Sequence, residues 1–161
     1  MPAMNSPLSV DVFDNLHELL HLFRAHMRKS MEAVHPELTF NEMRILMRTG
    51  RQPGITQKDL VEHSHTDKAQ MARMLAHLQD KGWLKRSASA SDKRVRCLEL
   101  SEQGQQLFAH LRDLQEQVAT ELLQDCPPPL QAQLLDLLKQ AKSSASAHIG
   151  MAAAHSGPMK T

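Results

Sequence analysis

Apolar residues recur at spacings of three and four along most of the chain, and the points where that rhythm stops mark out a series of helices. Phe13, Leu16, Leu20, Phe23, Met27 and Met31 fall on one face of a first long helix, which Pro36 bounds. Residues 1–10 precede it without such a rhythm and are expected to form a flexible arm. Thr39-Phe40-Asn41-Glu42 has capping-box spacing and opens a short helix carrying Met43, Ile45, Leu46 and Met47. Gly50, Pro53 and Gly54 close it. Thr56 starts another short helix, anchored by Leu60 and Val61, and the polar segment His63-Ser64-His65-Thr66 reads as a turn. Thr66 is then expected to cap a helix that starts at Asp67, carries Met71, Met74, Leu75 and Leu78, and stops at Gly82. Two short helices joined by a polar turn of this length form a helix-turn-helix pattern.

The period changes after Gly82. Trp83-Leu84-Lys85-Arg86, then Ser/Ala/Ser/Ala/Ser, then Asp92-Lys93-Arg94-Val95-Arg96-Cys97-Leu98-Glu99-Leu100 read as two short strand-like runs flanking a polar tip, which predicts a hairpin. The tip lacks Asn-Gly, so its loop is long. Ser101 caps a helix with Leu107, Leu111, Leu114, Val118 and Leu122 on one face, and Pro127-Pro128-Pro129 breaks it. Leu130, Leu134, Leu137, Leu138 and Ala141 form a last apolar stripe, and residues 146–161 read as a disordered tail. The fold class is therefore mainly α with a small β-hairpin. The terminal helices carry more apolar face than a small helix-turn-helix lobe covers. They must pack on each other, on a second subunit, or on both; a homodimer is favoured, with a monomeric bundle as the alternative.

Composition narrows the function. The chain has 161 residues, with 41% hydrophobic and only 3% aromatic, so an aliphatic core is expected. Net charge is +1, which by itself does not announce a polyanionic partner. Local charge does: Lys81, Lys85, Arg86, Lys93, Arg94 and Arg96 face a single acid, Asp92, within one short stretch. Two cysteines, Cys97 and Cys126, make no disulfide framework or CxxC motif. No glycine-rich phosphate loop, nucleophile elbow or paired-carboxylate motif is present, so no catalytic residue, enzyme activity or cofactor is expected. No secretory signal or membrane-length apolar run is seen, and a cytoplasmic protein is expected.

The order of elements, together with Thr56-Gln57-Lys58-Asp59-Leu60, Asp67-Lys68-Ala69-Gln70-Met71-Ala72-Arg73, Leu78-Gln79-Asp80-Lys81-Gly82-Trp83-Leu84-Lys85-Arg86, Asp92-Lys93-Arg94 and Leu100-Ser101-Glu102-Gln103-Gly104, resembles the MarR family. The resemblance implies a single domain over residues 11–145. Within it a winged helix-turn-helix lobe would span about 39–104, and dimerisation helices about 11–35 and 101–145. It implies a homodimer on double-stranded DNA, with a recognition helix in each major groove and a wing in the adjoining minor groove. The corresponding DNA-contacting residues are Thr56, Gln57, Thr66, Lys68, Gln70 and Arg73, with Lys93, Arg94 and Arg96 on the wing. Gln70 and Arg73 lie three apart on one helical face, and their side chains suit adenine and guanine edges; phosphate contact by Arg73 is the alternative. Arg94 suits a narrow minor groove. Asp92 resembles the aspartate that shapes the wing by pairing with arginine, for which Arg86 is the candidate. Ala72 departs from the family pattern, where a hydroxyl residue is common.

Family members commonly respond to a small aromatic or phenolic effector bound between the dimer region and the DNA lobe. Here that implies an effector crevice lined by His17, Leu20, His21, Arg24, Met43 and Met47. Repression of transcription is the family's usual outcome. Two other readings stay open. The pairs His17/His21 and His63/His65 allow a zinc-responsive regulator of the same fold, although no metal ligand set is specified by spacing. A helical protein-protein adaptor would use the same helices without binding DNA.

Overall fold

The structure, a computed structural model, describes residues 7–64 and 66–155. The chain divides into two compact units between Ala119 and Thr120. In the first unit, α1 (Leu8–Val34) leads into α2 (Phe40–Arg51), β1 (Ile55–Thr56), α3 (Gln57–His63), α4 (Lys68–Asp80), β2 (Leu84–Ala88), β3 (Arg96–Leu100) and most of α5 (Glu102–Leu122). The second holds the end of α5 and α6 (Pro128–His155).

Helix starts follow local chemistry. The Thr39 hydroxyl accepts from Glu42 N–H at 3.2 Å and Glu42 Oε2 accepts from Thr39 N–H at 3.0 Å, which completes the capping box that opens α2. A second box opens α3: Thr56 Oγ1 accepts from Asp59 N–H at 3.1 Å, and Asp59 Oδ2 accepts from Thr56 N–H at 3.0 Å. The cap of α4 is Asp67, not Thr66, because the Asp67 carboxylate accepts from Gln70 N–H at 2.8 Å. An ionised cap gains both that hydrogen bond and the attraction of the helix dipole.

Between the helices lies a three-stranded antiparallel sheet of order β1-β3-β2, so the expected hairpin gains a third strand. Ile55 pairs with Leu98 and Thr56 with Cys97, while β2 pairs from Leu84↔Leu100 to Ala88↔Arg96. Only two residues long, β1 carries no alternation from which a period could be read. Leu84, Leu98 and Leu100 of the sheet are buried, as are Leu46 of α2 and Leu75 and Leu78 of α4, the two helices that pack against these strands. Each such side chain contributes about 1.5–3 kcal/mol of transfer free energy.

The chain ends differ from expectation. Helix α1 includes residues 8–10 of the stretch read as an arm, and α6 includes residues 146–155 of the stretch read as a tail. Small residues such as Ala and Ser tolerate helix and let α6 run on past its last apolar turn. Pro7 stands at the N-cap of α1, and residues 1–6 and 156–161 of the two stretches lie outside the described residues. Of the stripe on α1, Met27 and Met31 are buried, but Phe13 is 69% exposed. In the second unit, Gln131 Nε2 donates to the carbonyls of Cys126 at 2.8 Å and Leu123 at 3.2 Å, which satisfies the end of α5 ahead of the proline run. Among the described residues no helix is long and apolar enough to cross a membrane.

The wing is joined to α5 by a tight contact. Ser101 Oγ donates to the Gly82 carbonyl at 2.5 Å and accepts from Gly104 N–H at 3.0 Å, and Ser101 N–H donates to the Trp83 carbonyl at 3.0 Å. Gly82 has φ +75°, the left-handed conformation that ends α4. A Cβ on Gly104 would stand 1.9 Å from the Trp83 carbonyl oxygen. In an open helix position Gly→Ala stabilises by about 1 kcal/mol. Here the sign should reverse: Gly104→Ala should cost about 1–3 kcal/mol, read as a lowered urea midpoint. A raised midpoint would show that the contact yields freely.

Candidate nucleic-acid interface and the adjoining crevice

The residues expected to meet DNA occupy three places. Thr56 and Gln57 stand at the start of α3, both half-buried. The Thr56 hydroxyl is committed to its capping box and also donates to Asp59 Oδ2 at 2.7 Å, so it offers little to a phosphate. Those bonds, the hydroxyl first and the Thr56 N–H second, hold the Asp59 carboxyl below the ordinary aspartate range.

The second place is the start of α4. Lys68, Gln70 and Arg73 are exposed, and no side-chain hydrogen bond or ion pair engages Gln70 or Arg73 among the described residues. The core side of the same helix is fixed by Met71, Leu75 and Leu78, each at most 1% exposed. A helix held so firmly on one side presents the other with little freedom. Thr66 differs: it is half-buried and lines the crevice described below.

The third place is the wing tip, where Lys93 and Arg94 are exposed. Val95 N–H donates to the Asp92 carbonyl at 3.0 Å, and Arg94 N–H donates to Asp92 Oδ1 at 2.9 Å. Ser89 N–H donates to the Val95 carbonyl at 2.9 Å and closes the loop. Asp92 thus shapes the tip through backbone, as an Asx turn. No ion pair joins it to Arg86 among the described residues, a correction to the expected pairing. Arg86 is an exposed residue of β2 opposite Leu98, six positions before Asp92, whereas the backbone of Arg94 lies within reach of the Asp92 carboxylate. Lys85 is partly neutralised by Glu99 at 3.8 Å, and Arg96, the first residue of β3, is exposed. Among the described residues the unpaired positive charge of the wing therefore sits at Arg86, Lys93, Arg94 and Arg96.

Beside α4 a crevice of about 300 Å³ opens among α1, α2, α3, α4 and α5. Leu20, Arg24, Met43 and Met47 line it as expected. His17 and His21 do not. Adjacent helix positions differ by about 100° in direction, so His21 is turned away from the side Leu20 presents, and His17 lies a turn further from Arg24. Both are exposed on α1. Lining residues that sequence reasoning passed over include Phe23, Arg44, Arg48, Arg51, Met71 and Met74. The arginines at 44, 48 and 51 follow the same four-and-three spacing as an apolar stripe, a signal that was present in the sequence. Nothing in the sequence pairs Met71 and Met74 with α1, because that contact is tertiary. Among the described residues no group of three His, Cys, Asp or Glu side chains is placed to hold a metal ion, which leaves the zinc reading without a ligand set; His65 lies outside them.

Comparison with known proteins gives one consistent picture. Residues 38–95 match the model of the MarR family. Transcriptional regulator HosA of Escherichia coli O157:H7 is 31% identical over 107 residues, which is 66% of this chain and 78% of that protein. The crystal structure of MarR superposes with a TM-score of 0.74 at 23% identity, covering 92% of this chain and 97% of that one. Bordetella bronchiseptica BpsR, whose DNA binding is regulated by 6-hydroxynicotinic acid, superposes with a TM-score of 0.66 at 18% identity, covering 82% of this chain and 98% of that one.

The second capping box has a pH signature. The folded pKa of Asp59 lies below its unfolded value. Its stabilisation is therefore complete above the ordinary aspartate range and is lost as pH falls through that range to the depressed value. Asp59→Asn should be less stable than the parent at neutral pH, and the gap in urea midpoint should narrow on acidification. A gap that does not change with pH would mean that ionisation of Asp59 contributes nothing.

Proposed function

Because the chain belongs to the MarR family of transcriptional regulators, we propose that it is a ligand-responsive repressor that binds a pseudo-palindromic operator as a homodimer and is released by a small aromatic or phenolic effector. The observation that carries the DNA-binding part is the state of Gln70 and Arg73. They are exposed, they share the outer side of a helix anchored in the core, and their side chains are unengaged among the described residues. A polar pair so presented suits base edges in a major groove. The Lys93-Arg94 tip suits the backbone and minor groove alongside. Family membership carries no enzymatic role, and the site contains no nucleophile-base pair that would ask for one.

The homodimer is supported by apolar surface that one chain leaves open on α1, where Val12, Phe13, Leu19 and Leu22 are all exposed. Burial of such a stripe against a second copy is its simplest use. Twofold symmetry then demands half-sites about one helical turn apart. The effector is supported by the crevice, whose apolar walls and arginines suit an anion with a flat body. BpsR offers a parallel, as a regulator of this fold that answers to an aromatic acid. Work on DNA places the protein in the cytoplasm.

The test is a titration of duplex DNA at several salt concentrations. The parent should protect a palindrome, and its affinity should fall steeply with salt. Arg94→Ala should weaken binding on all sequences and reduce the salt slope by about one unit. Arg73→Ala should cost about 1–3 kcal/mol and relax preference at one base pair per half-site. An unchanged slope for the first variant would remove the wing from the interface. No binding to any duplex at low salt would favour a protein-protein adaptor instead.

A further inference from the structure

The crevice beside α4 has a charge pattern that the apolar part of its wall does not explain. Arg24 of α1 and Arg44, Arg48 and Arg51 of α2 all line it, and no Asp or Glu does. None of the four forms an ion pair among the described residues. Arg51 Nη2 donates to Gln115 Oε1 at 2.7 Å, which steadies one guanidinium without neutralising it. Arg48 Nε is buried and has no hydrogen-bond partner among the described residues, and neither has the buried Oγ of Ser64, which lines the same crevice. Buried donors are normally satisfied, so each is a position that a ligand can complete. Guanidinium stays charged at every accessible pH, and like charges on successive turns of one helix repel. A row of three arginines on α2 is therefore destabilising in the empty state and is relieved by anions.

One carboxylate satisfies one guanidinium, or bridges two neighbours. It cannot serve positions spread over two turns of α2 and a fourth on α1. We propose that the ligand of this crevice carries two separate anionic groups on one apolar body, rather than the single acid group that a simple aromatic acid offers. Successive members of the α2 row stand about 5–6 Å apart at Cβ, which suits acid groups set apart on a ring rather than on adjacent atoms. The body lies among Phe23, Met27, Met47 and Met71, where flexible thioethers accommodate an irregular outline. The proposal rests on the reading of this crevice as an effector site and specifies the chemical class that fits it.

The probes are benzoate, isophthalate and 3-carbamoylbenzoate, the last matching isophthalate in shape but carrying one charge. Calorimetric titration of the full chain should give isophthalate an affinity about tenfold or more above that of 3-carbamoylbenzoate, the effect of one added charge-assisted pair. Arg44→Gln, at an exposed position where folding is not at risk, should reduce that ratio to about threefold or less. Equal affinities in the parent would overturn the two-anion proposal and leave the effector site standing. Absence of isophthalate binding at millimolar concentration would overturn it as well. Leu20→Trp, which narrows the crevice from α1, should weaken all three probes. If it weakens none, the probes bind elsewhere, and the effector reading of the crevice falls together with the proposal. Should Arg44→Gln instead weaken DNA binding without any ligand, the row is a phosphate-contacting surface and the proposal is wrong.

Discussion

Glu42 is only 4% exposed, and both of its carboxylate oxygens are in use. Oε2 accepts from Thr39 N–H at 3.0 Å and so opens α2, while Oε1 lies 2.5 Å from His77 Nδ1 on α4. A buried carboxylate without partners is costly, so α2 and α4 hold one another in the arrangement that satisfies it. One residue thus ties the helix bearing Gln70 and Arg73 to the helix bearing the arginine row. Buried acceptors deprived of a partner cost about 1–3 kcal/mol each, which makes this joint stiffer than apolar packing of the same area.

The wing is held at its two ends by different means. At its base, Ser101, Gly82, Trp83 and Gly104 form a backbone-dense contact with no room for a Cβ at Gly104. At its tip, Asp92 turns the chain with its own side chain and leaves Lys93 and Arg94 outside. The strands between are short and end-anchored, so the cations at the tip inherit a defined position from the body of the unit. The acid in the sequence Asp92-Lys93-Arg94 neutralises no cation here. It shapes the turn that displays them.

Charge is organised on a scale that net charge conceals. A balance of +1 covers a wing tip and an α2 face that are each strongly positive. The wing carries its charge on an open surface. The arginines of α2 surround a space of about 300 Å³, which admits only a small molecule. Thr66 borders the crevice one residue before the cap of α4, so the crevice reaches the start of the helix that bears Gln70 and Arg73.

The helices, their capping box at Thr39 and the family were legible in the chain because period, caps and breakers are local properties, expressed within four residues. The positions of Gln70 and Arg73 on the outer surface followed from the same periodicity, since Met71, Leu75 and Leu78 claim the inner side, and that of Arg94 from its place in the polar tip of the hairpin. Choices made between competing local partners were not legible. Asp67 displaced Thr66 as the cap, and Arg94 N–H displaced the Arg86 guanidinium as the partner of Asp92, because geometry in three dimensions decides among groups that sequence leaves equally near. The two-residue strand β1 depends on a β3 more than forty residues away, and too short a strand leaves no period. The crevice is the clearest case. Its walls come from five helices, and only folding brings the arginines of α2, Arg24 of α1 and the methionines of α4 around one space.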